Sequence, residues 1–158
     1  MYKKLESAVT VLENGMVVVL LVVMSVAVFA QVLFRYAMEI PLSWTEELSR
    51  YCLIWLTFIG ASLALREKGH FALEFLIEKL PAKPRRLAEL ALLLVIEIFL
   101  GMMFYTGLIM LPITALQVSA SLRITMDFIY LAIPIGSAFM LVHNSGMIWD
   151  KFAEWRQE

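Results

Sequence analysis

The chain has 158 residues, of which 61% are hydrophobic and only 17% are charged, and its mean hydropathy is +0.81. This composition excludes an ordinary soluble domain and predicts an all-α integral membrane protein. The formal net charge of −1 leaves no basic patch for nucleic acid. The charged residues fall almost entirely between apolar runs, where they remain hydrated.

The N-terminal part predicts a short interfacial helix that leads into a first transmembrane helix. Residues 2–13 place their apolar side chains on one side, which is typical of a helix that lies along a membrane surface. Residues 15–34 form the predicted first span. Because this apolar run is 20 residues long and follows Glu6 and Glu13, we interpret it as an uncleaved helix and not as an export signal. Gln31, near its end, is a candidate for a polar contact inside the membrane.

The second span, residues 44–65, has a charged beginning. Ser43 and Glu46 have the spacing of a capping box, so we expect a helix to start at residue 44. Glu46 and Glu47 lie in the first turn, and Arg50 follows on the same face. This spacing predicts a compact ion-pair cluster. Arg50 lies about 9 Å beyond residue 44 along the helix axis, at ~1.5 Å per residue. At that depth a role in capping the helix does not explain the charge, and two roles stay open: an internal brace or a contact with a partner subunit.

The remainder of the chain predicts two further spans. An amphipathic segment, residues 70–80, is too short and too charged to cross a membrane and is expected to lie on its surface. The third span covers residues 87–111 and is expected to end at Pro112. The fourth covers residues 127–148, with Thr125 as its expected cap and Pro134 as an expected kink.

Glu97 is the clearest candidate for chemistry inside the membrane. It lies about ten residues into the third span, where a carboxylate is a functional candidate by default. It is either the proton site of a carrier or a hydrogen-bonded residue that locks the third span against a neighbour. For His143, Asn144 and Ser145, near the end of the fourth span, the alternatives are ligation or relay and hydrogen bonding, and we expect hydrogen bonding. We find no motif for a catalytic site, a metal ion or a cofactor, and haem ligation is weakly supported because the two histidines lie near the same side.

The lysines and arginines predict the orientation. Ten of the 13 flank the spans on the side of the two termini, and only Arg35, Arg50 and Arg123 lie on the other side. The positive-inside rule therefore places both termini in the cytoplasm and the beginning of the second span at the outer face.

The second span and the residues that follow it resemble a known family. This stretch reads Trp-Thr-Glu-Glu from residue 44, then Arg50, Trp55, Phe58 and Gly60, then Gly69-His70 before an amphipathic segment ending in Leu-Pro. This signature resembles that of the small membrane subunit of tripartite ATP-independent periplasmic (TRAP) transporters, the DctQ-like family. The Tyr-Leu-Ala-Ile-Pro-Ile-Gly stretch from residue 130 is similar to the last helix of that family. The resemblance assigns a partner-binding or structural cluster to eight residues: Trp44, Glu46, Glu47, Arg50, Trp55, Gly60, Gly69 and His70.

The resemblance implies a four-helix, non-enzymatic scaffold subunit of the bacterial inner membrane. It implies pairing with a large multi-span subunit and docking of a periplasmic binding protein, in a sodium-driven importer of organic acid anions such as sialic acids or C4-dicarboxylates. Membrane lipids are the remaining expected partner. Two other hypotheses remain: a self-sufficient homodimeric proton-coupled carrier that uses Glu97, and a membrane anchor of a respiratory complex.

Overall fold

The computed structural model describes residues 2–40, 42–68 and 82–155. Five helices lie in these ranges: α1 (Tyr2–Ala37), α2 (Ser43–Lys68), α3 (Ala82–Thr114), α4 (Asp127–Tyr130) and α5 (Ala132–Trp155). Four stretches are long and apolar enough to cross a membrane: Glu6–Ala37, Ser43–Glu67, Pro84–Thr114 and Asp127–Ala153. The predicted fold class, an all-α membrane protein with four spanning helices, is therefore confirmed. The predicted surface segment at residues 70–80 lies outside the described residues.

The first helix is continuous. Residues 2–13 and the predicted first span form one helix of 36 residues, about 54 Å long at ~1.5 Å per residue. Its sequence contains no proline, and its single glycine, Gly15, lies inside the helix, so the chain has no local reason to bend there. Whether the first turns lie along a membrane surface stays a prediction.

The long helices form a row in the order α1, α2, α5, α3. Helix α2 packs against both α1 and α5, and α3 packs against α5. As a result α5 lies inside the row: 44% of its most apolar stretch is buried, against 6% for α1. The apolar side chains that remain exposed on α1 and α3 fit the environment of a lipid bilayer, where exposed leucine and valine cost nothing.

Two glycines allow the close approach of helices within the row. A Cβ atom on Gly136 of α5 would lie 2.7 Å from Cβ of Phe58 on α2, and one on Gly107 of α3 would lie 2.9 Å from Cδ of Pro134. Real Cβ atoms do not pack this closely, so both contacts need glycine. Small residues are the usual means by which membrane helices come together, because the lipid supplies no hydrophobic force between them.

Two helix ends differ from the prediction for local reasons. Helix α2 begins one residue early, and Glu46 reaches forward to Arg50 instead of back to Ser43. Helix α3 continues past Pro112 to Thr114, whose hydroxyl donates to the backbone carbonyls of Met110 and Leu111.

The fourth span is divided where a bend was expected. Helix α4 ends at Tyr130. In a continuous helix the carbonyl of Tyr130 would accept from the backbone N–H of residue 134, but that residue is Pro134, which has no N–H. Helix α5 then runs on to Trp155, seven residues beyond the predicted end. Met126 and not Thr125 precedes α4, without a side-chain cap, and Thr125 forms a bridge with Val118 instead.

Candidate functional site

The α3–α4 loop (residues 115–126) lies at the beginning of α2 and is fixed there by one carboxylate. Glu47 accepts hydrogen bonds from the backbone N–H groups of Ala120 at 3.2 Å, Ser121 at 2.9 Å and Leu122 at 2.8 Å. It also accepts one from the hydroxyl of Tyr51 at 2.6 Å. Successive N–H groups that converge on one anion form a nest, in which the carboxylate satisfies several backbone donors at once. Glu47 therefore holds the loop, and it forms no ion pair with the residues that the structure describes.

The loop itself has a defined backbone. The N–H of Ser119 donates to the carbonyl of Ile124 at 2.9 Å, and the N–H of Met126 donates to the carbonyl of Gln117 at 2.9 Å. Arg123 has a φ of 54°, in the left-handed region that side chains rarely adopt. This hairpin-like turn exposes Leu116 and Val118, which are 86% and 60% accessible. The loop is thus a fixed element with an apolar surface.

Glu46 and Arg50 form the only part of the predicted cluster that is an ion pair within the described residues. Their side chains are 3.0 Å apart and 63% and 65% exposed. The pair lies within a stretch that is apolar enough to span a membrane, on a face of α2 that the described residues leave uncovered. Trp44, beside it, is also exposed.

The other predicted residues of α2 have different surroundings. The ring centroids of Trp55 and Phe128 on α4 are 6.4 Å apart, and the ring planes are inclined by 48°. Trp55 therefore helps to pack α4 against α2. Apart from the backbone of its own helix turn and its chain neighbours, a Cβ atom added at Gly60 would meet no atom within 4 Å. The glycine there does not make room for any other described part of this chain. Gly69 and His70 lie outside the described residues.

Glu97 is hydrogen-bonded to α5 through both of its oxygens. Asn144 donates to Oε2 at 2.6 Å and Ser145 donates to Oε1 at 2.7 Å, while the same Asn144 amide donates to the carbonyl of Leu93 at 3.0 Å. These hydrogen bonds favour the structural interpretation, in which Glu97 joins the third span to the fourth. The side chain of Gln31, the other predicted intramembrane contact, forms no hydrogen bond within the described residues.

A buried carboxylate–imidazole pair, which the sequence did not reveal, joins the first and last spans. Glu13 is 0% exposed and His143 is 1% exposed, and Oε2 of Glu13 lies 2.9 Å from Nε2 of His143. Glu6, seven residues earlier on α1, lies 3.8 Å from Nδ1 of the same ring and 3.6 Å from Nε of Arg66 on α2. Because of that spacing Glu6 and Glu13 share a helix face, which is the one sequence signal that could have indicated the pair.

Helix α3 is joined to α5 by a second set of charges at this end. Glu89 lies 3.0 Å from Arg85 on its own helix and 3.0 Å from Lys151 on α5. We call this end of the row the histidine end and the opposite end, with the α3–α4 loop, the loop end. Groups of three or more potential metal ligands are absent from the described residues.

The family model for the DctQ component of tripartite ATP-independent periplasmic transporters matches residues 24–154, which include part of α1, all of α2, α3 and α4, and nearly all of α5. The chain belongs to the DctQ family. It is accordingly a small permease subunit of a TRAP transporter and not an enzyme, as the resemblance in the second span predicted.

Three relatives show how far the likeness extends. The sialic acid TRAP transporter small permease protein SiaQ of Vibrio cholerae is 24% identical over 148 residues, which are 94% of this chain and 86% of that protein. A TRAP transporter small permease protein of Haemophilus influenzae is 47% identical over 62 residues, only 39% of this chain and 38% of that one. The sialic acid TRAP transporter permease protein SiaT of Haemophilus influenzae is 25% identical over 112 residues, 71% of this chain but only 18% of that much longer protein.

Proposed function

We propose that this DctQ subunit is the scaffold of a sodium-driven, binding-protein-dependent importer of organic acid anions. A large membrane subunit carries the sodium and substrate sites, and a soluble periplasmic protein captures the anion. This chain supports the large subunit and helps to dock the periplasmic protein. The names of two relatives, which specify sialic acid, support a carboxylate substrate. C4-dicarboxylates are the other class that we consider.

The uncovered face of α2 is the observation that carries the proposal. Glu46 and Arg50 are followed on the same face by Leu53 and Thr57, and then by Ala61 and Ala64, all of them exposed. A charged pair inside a span is costly against lipid and normally faces protein or water. The small residues that follow allow another helix to approach closely. A helix of the large subunit, packed along this face, would cover both features.

The likeness to SiaT supports a partner of this kind. A stretch that resembles this chain is part of one continuous polypeptide there and takes up 18% of its length. In one polypeptide the stretch that resembles this chain and the remaining sequence are present in equal numbers. We therefore propose that one copy of this chain pairs with one copy of the large subunit.

The orientation belongs to the same proposal. With ten of 13 lysines and arginines on the side of the termini, both termini are cytoplasmic in a bacterial inner membrane. The loop end then faces the periplasm. There Glu47 holds the α3–α4 loop in a fixed position, where it can contact the periplasmic protein.

Substitution of Arg50 tests the proposal. We expect Arg50→Ala to weaken co-purification with the large subunit and uptake by about tenfold or more, because it leaves Glu46 unpaired in the interface. Capture of the anion by the isolated periplasmic protein should not change. Arg35→Ala is the matched control, since Arg35 is also an exposed arginine near the loop end. Full uptake and intact co-purification of Arg50→Ala would remove the α2 face from the mechanism.

The two other hypotheses have less support. A homodimeric proton-coupled carrier would use Glu97, but both of its oxygens are hydrogen-bonded to α5, which favours a structural lock. Transport by the chain reconstituted alone, abolished in Glu97→Gln, would reinstate this hypothesis. A haem absorption spectrum in the purified protein would reinstate the respiratory anchor.

A further inference from the structure

A polar cavity opens at the histidine end, between α1, α2 and α5. Its volume is about 370 Å³, and its polar lining includes Glu6, Arg66, Glu67, His143 and Asp150. These residues lie at or near the ends of three spanning stretches: Glu6 begins the first, Glu67 ends the second, and the last ends at Ala153. The cavity is therefore at the level where the headgroups of a bilayer meet the hydrocarbon.

One buried atom beside this cavity, Nδ1 of His143, lacks a hydrogen-bond partner within the described residues. Nε2 of His143 lies 2.9 Å from Oε2 of Glu13. With Glu13 as a carboxylate, which only accepts, we assign the proton of that bond to Nε2. In the neutral imidazole Nδ1 then has a lone pair, and within the described residues it has no hydrogen-bond partner although His143 is only 1% exposed. Nδ1 is on the side of Glu6, which lines the cavity, whereas Glu13 does not.

The charges around this atom favour a cation. Glu6, Glu67 and Asp150 contribute three carboxylates, and Arg66 contributes one guanidinium, whose Nε is 3.6 Å from Glu6. A primary ammonium has three N–H donors, which suit a carboxylate-rich site and an imidazole lone pair together. The remaining donors of Arg66 suit a phosphate at the rim.

We propose that this cavity binds a phosphoethanolamine group, with its ammonium between His143 and the carboxylates and its phosphate near Arg66. The group is supplied either by a phosphatidylethanolamine of the adjacent leaflet or by the free compound. This site is separate from the α2 face and does not depend on the proposed function.

Native mass spectrometry of the full chain in detergent tests the site. Three lipids with matched acyl chains serve as probes: phosphatidylethanolamine, phosphatidylcholine, whose trimethylated nitrogen has no N–H donor, and phosphatidylglycerol, which has no ammonium. We expect phosphatidylethanolamine to bind roughly tenfold better than the other two, since they lose the charge-assisted hydrogen bonds. Equal retention of all three would overturn the proposal, because it would show that the chain does not select the ammonium headgroup.

Variants at the rim keep the test independent of folding. Glu67→Gln and Asp150→Asn change exposed residues and leave the Glu13–His143 pair intact, so both should fold. The double variant should lose the preference for phosphatidylethanolamine, while Glu46→Gln, an equivalent change at the loop end, should keep it. An unchanged preference in the double variant would overturn the proposal.

A competition arm distinguishes the two sources. Free phosphoethanolamine that displaces the lipid at millimolar concentration supports the headgroup as the ligand whichever source supplies it. Binding of the lipid without displacement supports the bilayer as the source. Displacement by phosphocholine at the same concentration would contradict the role of the N–H donors.

Discussion

The two ends of the helix row use charged residues in opposite ways. At the loop end Glu47 is satisfied largely by backbone N–H groups of a loop more than 70 residues away, and the Glu46–Arg50 pair remains exposed. At the histidine end Glu13 and His143 are paired with each other and are excluded from solvent. The first arrangement fixes a surface, whereas the second joins the first span to the last.

This difference separates the residues that hold the chain together from those available to other chains. A buried pair is costly to break because its remaining member stays buried without a partner. An exposed pair in water contributes little to stability. Substitutions of the buried Glu13–His143 pair should therefore affect folding, and those of the exposed Glu46–Arg50 pair should affect assembly.

The largest effect is expected from Glu13→Ala. It leaves the ring of His143 buried without its acceptor, and we expect a loss of about 3 kcal/mol in the free energy of unfolding. Equilibrium unfolding of the purified chain in mixed micelles measures it. Glu6→Ala, at 3.8 Å from the same ring and partly exposed, is the control and should cost less than about 1 kcal/mol. Equal losses in both variants would show that burial does not distinguish them.

The two glycines of the α2–α5 region should respond differently. Gly136→Ala places a Cβ atom 2.7 Å from Cβ of Phe58, so we expect a loss of about 1–3 kcal/mol in the free energy of unfolding from overpacking. Gly60→Ala meets open space and should leave the chain unchanged or stabilise it by up to ~1 kcal/mol through helix propensity. The same unfolding measurement compares the two, and equal losses would contradict the close approach of α2 and α5 at Gly136.

Gly60→Leu extends this comparison from folding to assembly. The isolated chain should unfold as the wild type does, whereas co-purification with the large subunit should fall, because a leucine would hold the partner helix away from α2. Normal co-purification of this variant would place the interface on a different surface.

A smaller effect is expected from Glu97→Gln. The amide retains an oxygen that can accept from Asn144, and its nitrogen can donate to the hydroxyl of Ser145, so the free energy of unfolding should fall by about 1 kcal/mol or less. Uptake by the complete transporter should persist. Loss of uptake in a stable, assembled variant would contradict a structural role for Glu97.

The most local effect is expected from Glu47→Gln. An amide oxygen is a weaker acceptor than a carboxylate and cannot serve three N–H groups as well, so the amides of residues 120–122 should exchange with deuterium faster. Glu46→Gln should not change their exchange, because Glu46 faces Arg50. Equal exchange in both variants and the wild type would show that the loop is held by its own backbone bonds.

The four spans could be predicted because each is a continuous apolar run, and the hydrogen bonds of Asn144 and Ser145 could be expected from their position in a span. The spacing of Ser43 and Glu46 placed the start of α2 to within one residue, although Glu46 pairs with Arg50 and not with Ser43. All of these features depend on neighbours in the sequence.

The partners of Glu47 and Glu13 could not be predicted. Glu47 has the spacing of an ion pair with Arg50, but its oxygens accept from backbone amides 73–75 residues away, and backbone groups leave no pattern in the side-chain sequence. Glu13 and His143 are 130 residues apart. In the sequence Glu13 serves only as evidence against an export signal. A single carboxylate before an apolar run does not indicate which residue it will contact in the folded chain.

Mild-detergent purification from the native host tests whether this chain is a scaffold for a larger membrane subunit. We expect the tagged chain to bring a large multi-span membrane protein with it in equal amount, and the Arg50→Ala and Gly60→Leu variants to bring less while remaining folded. A chain that purifies alone, or as a homodimer, and transports when reconstituted by itself would contradict the scaffold role.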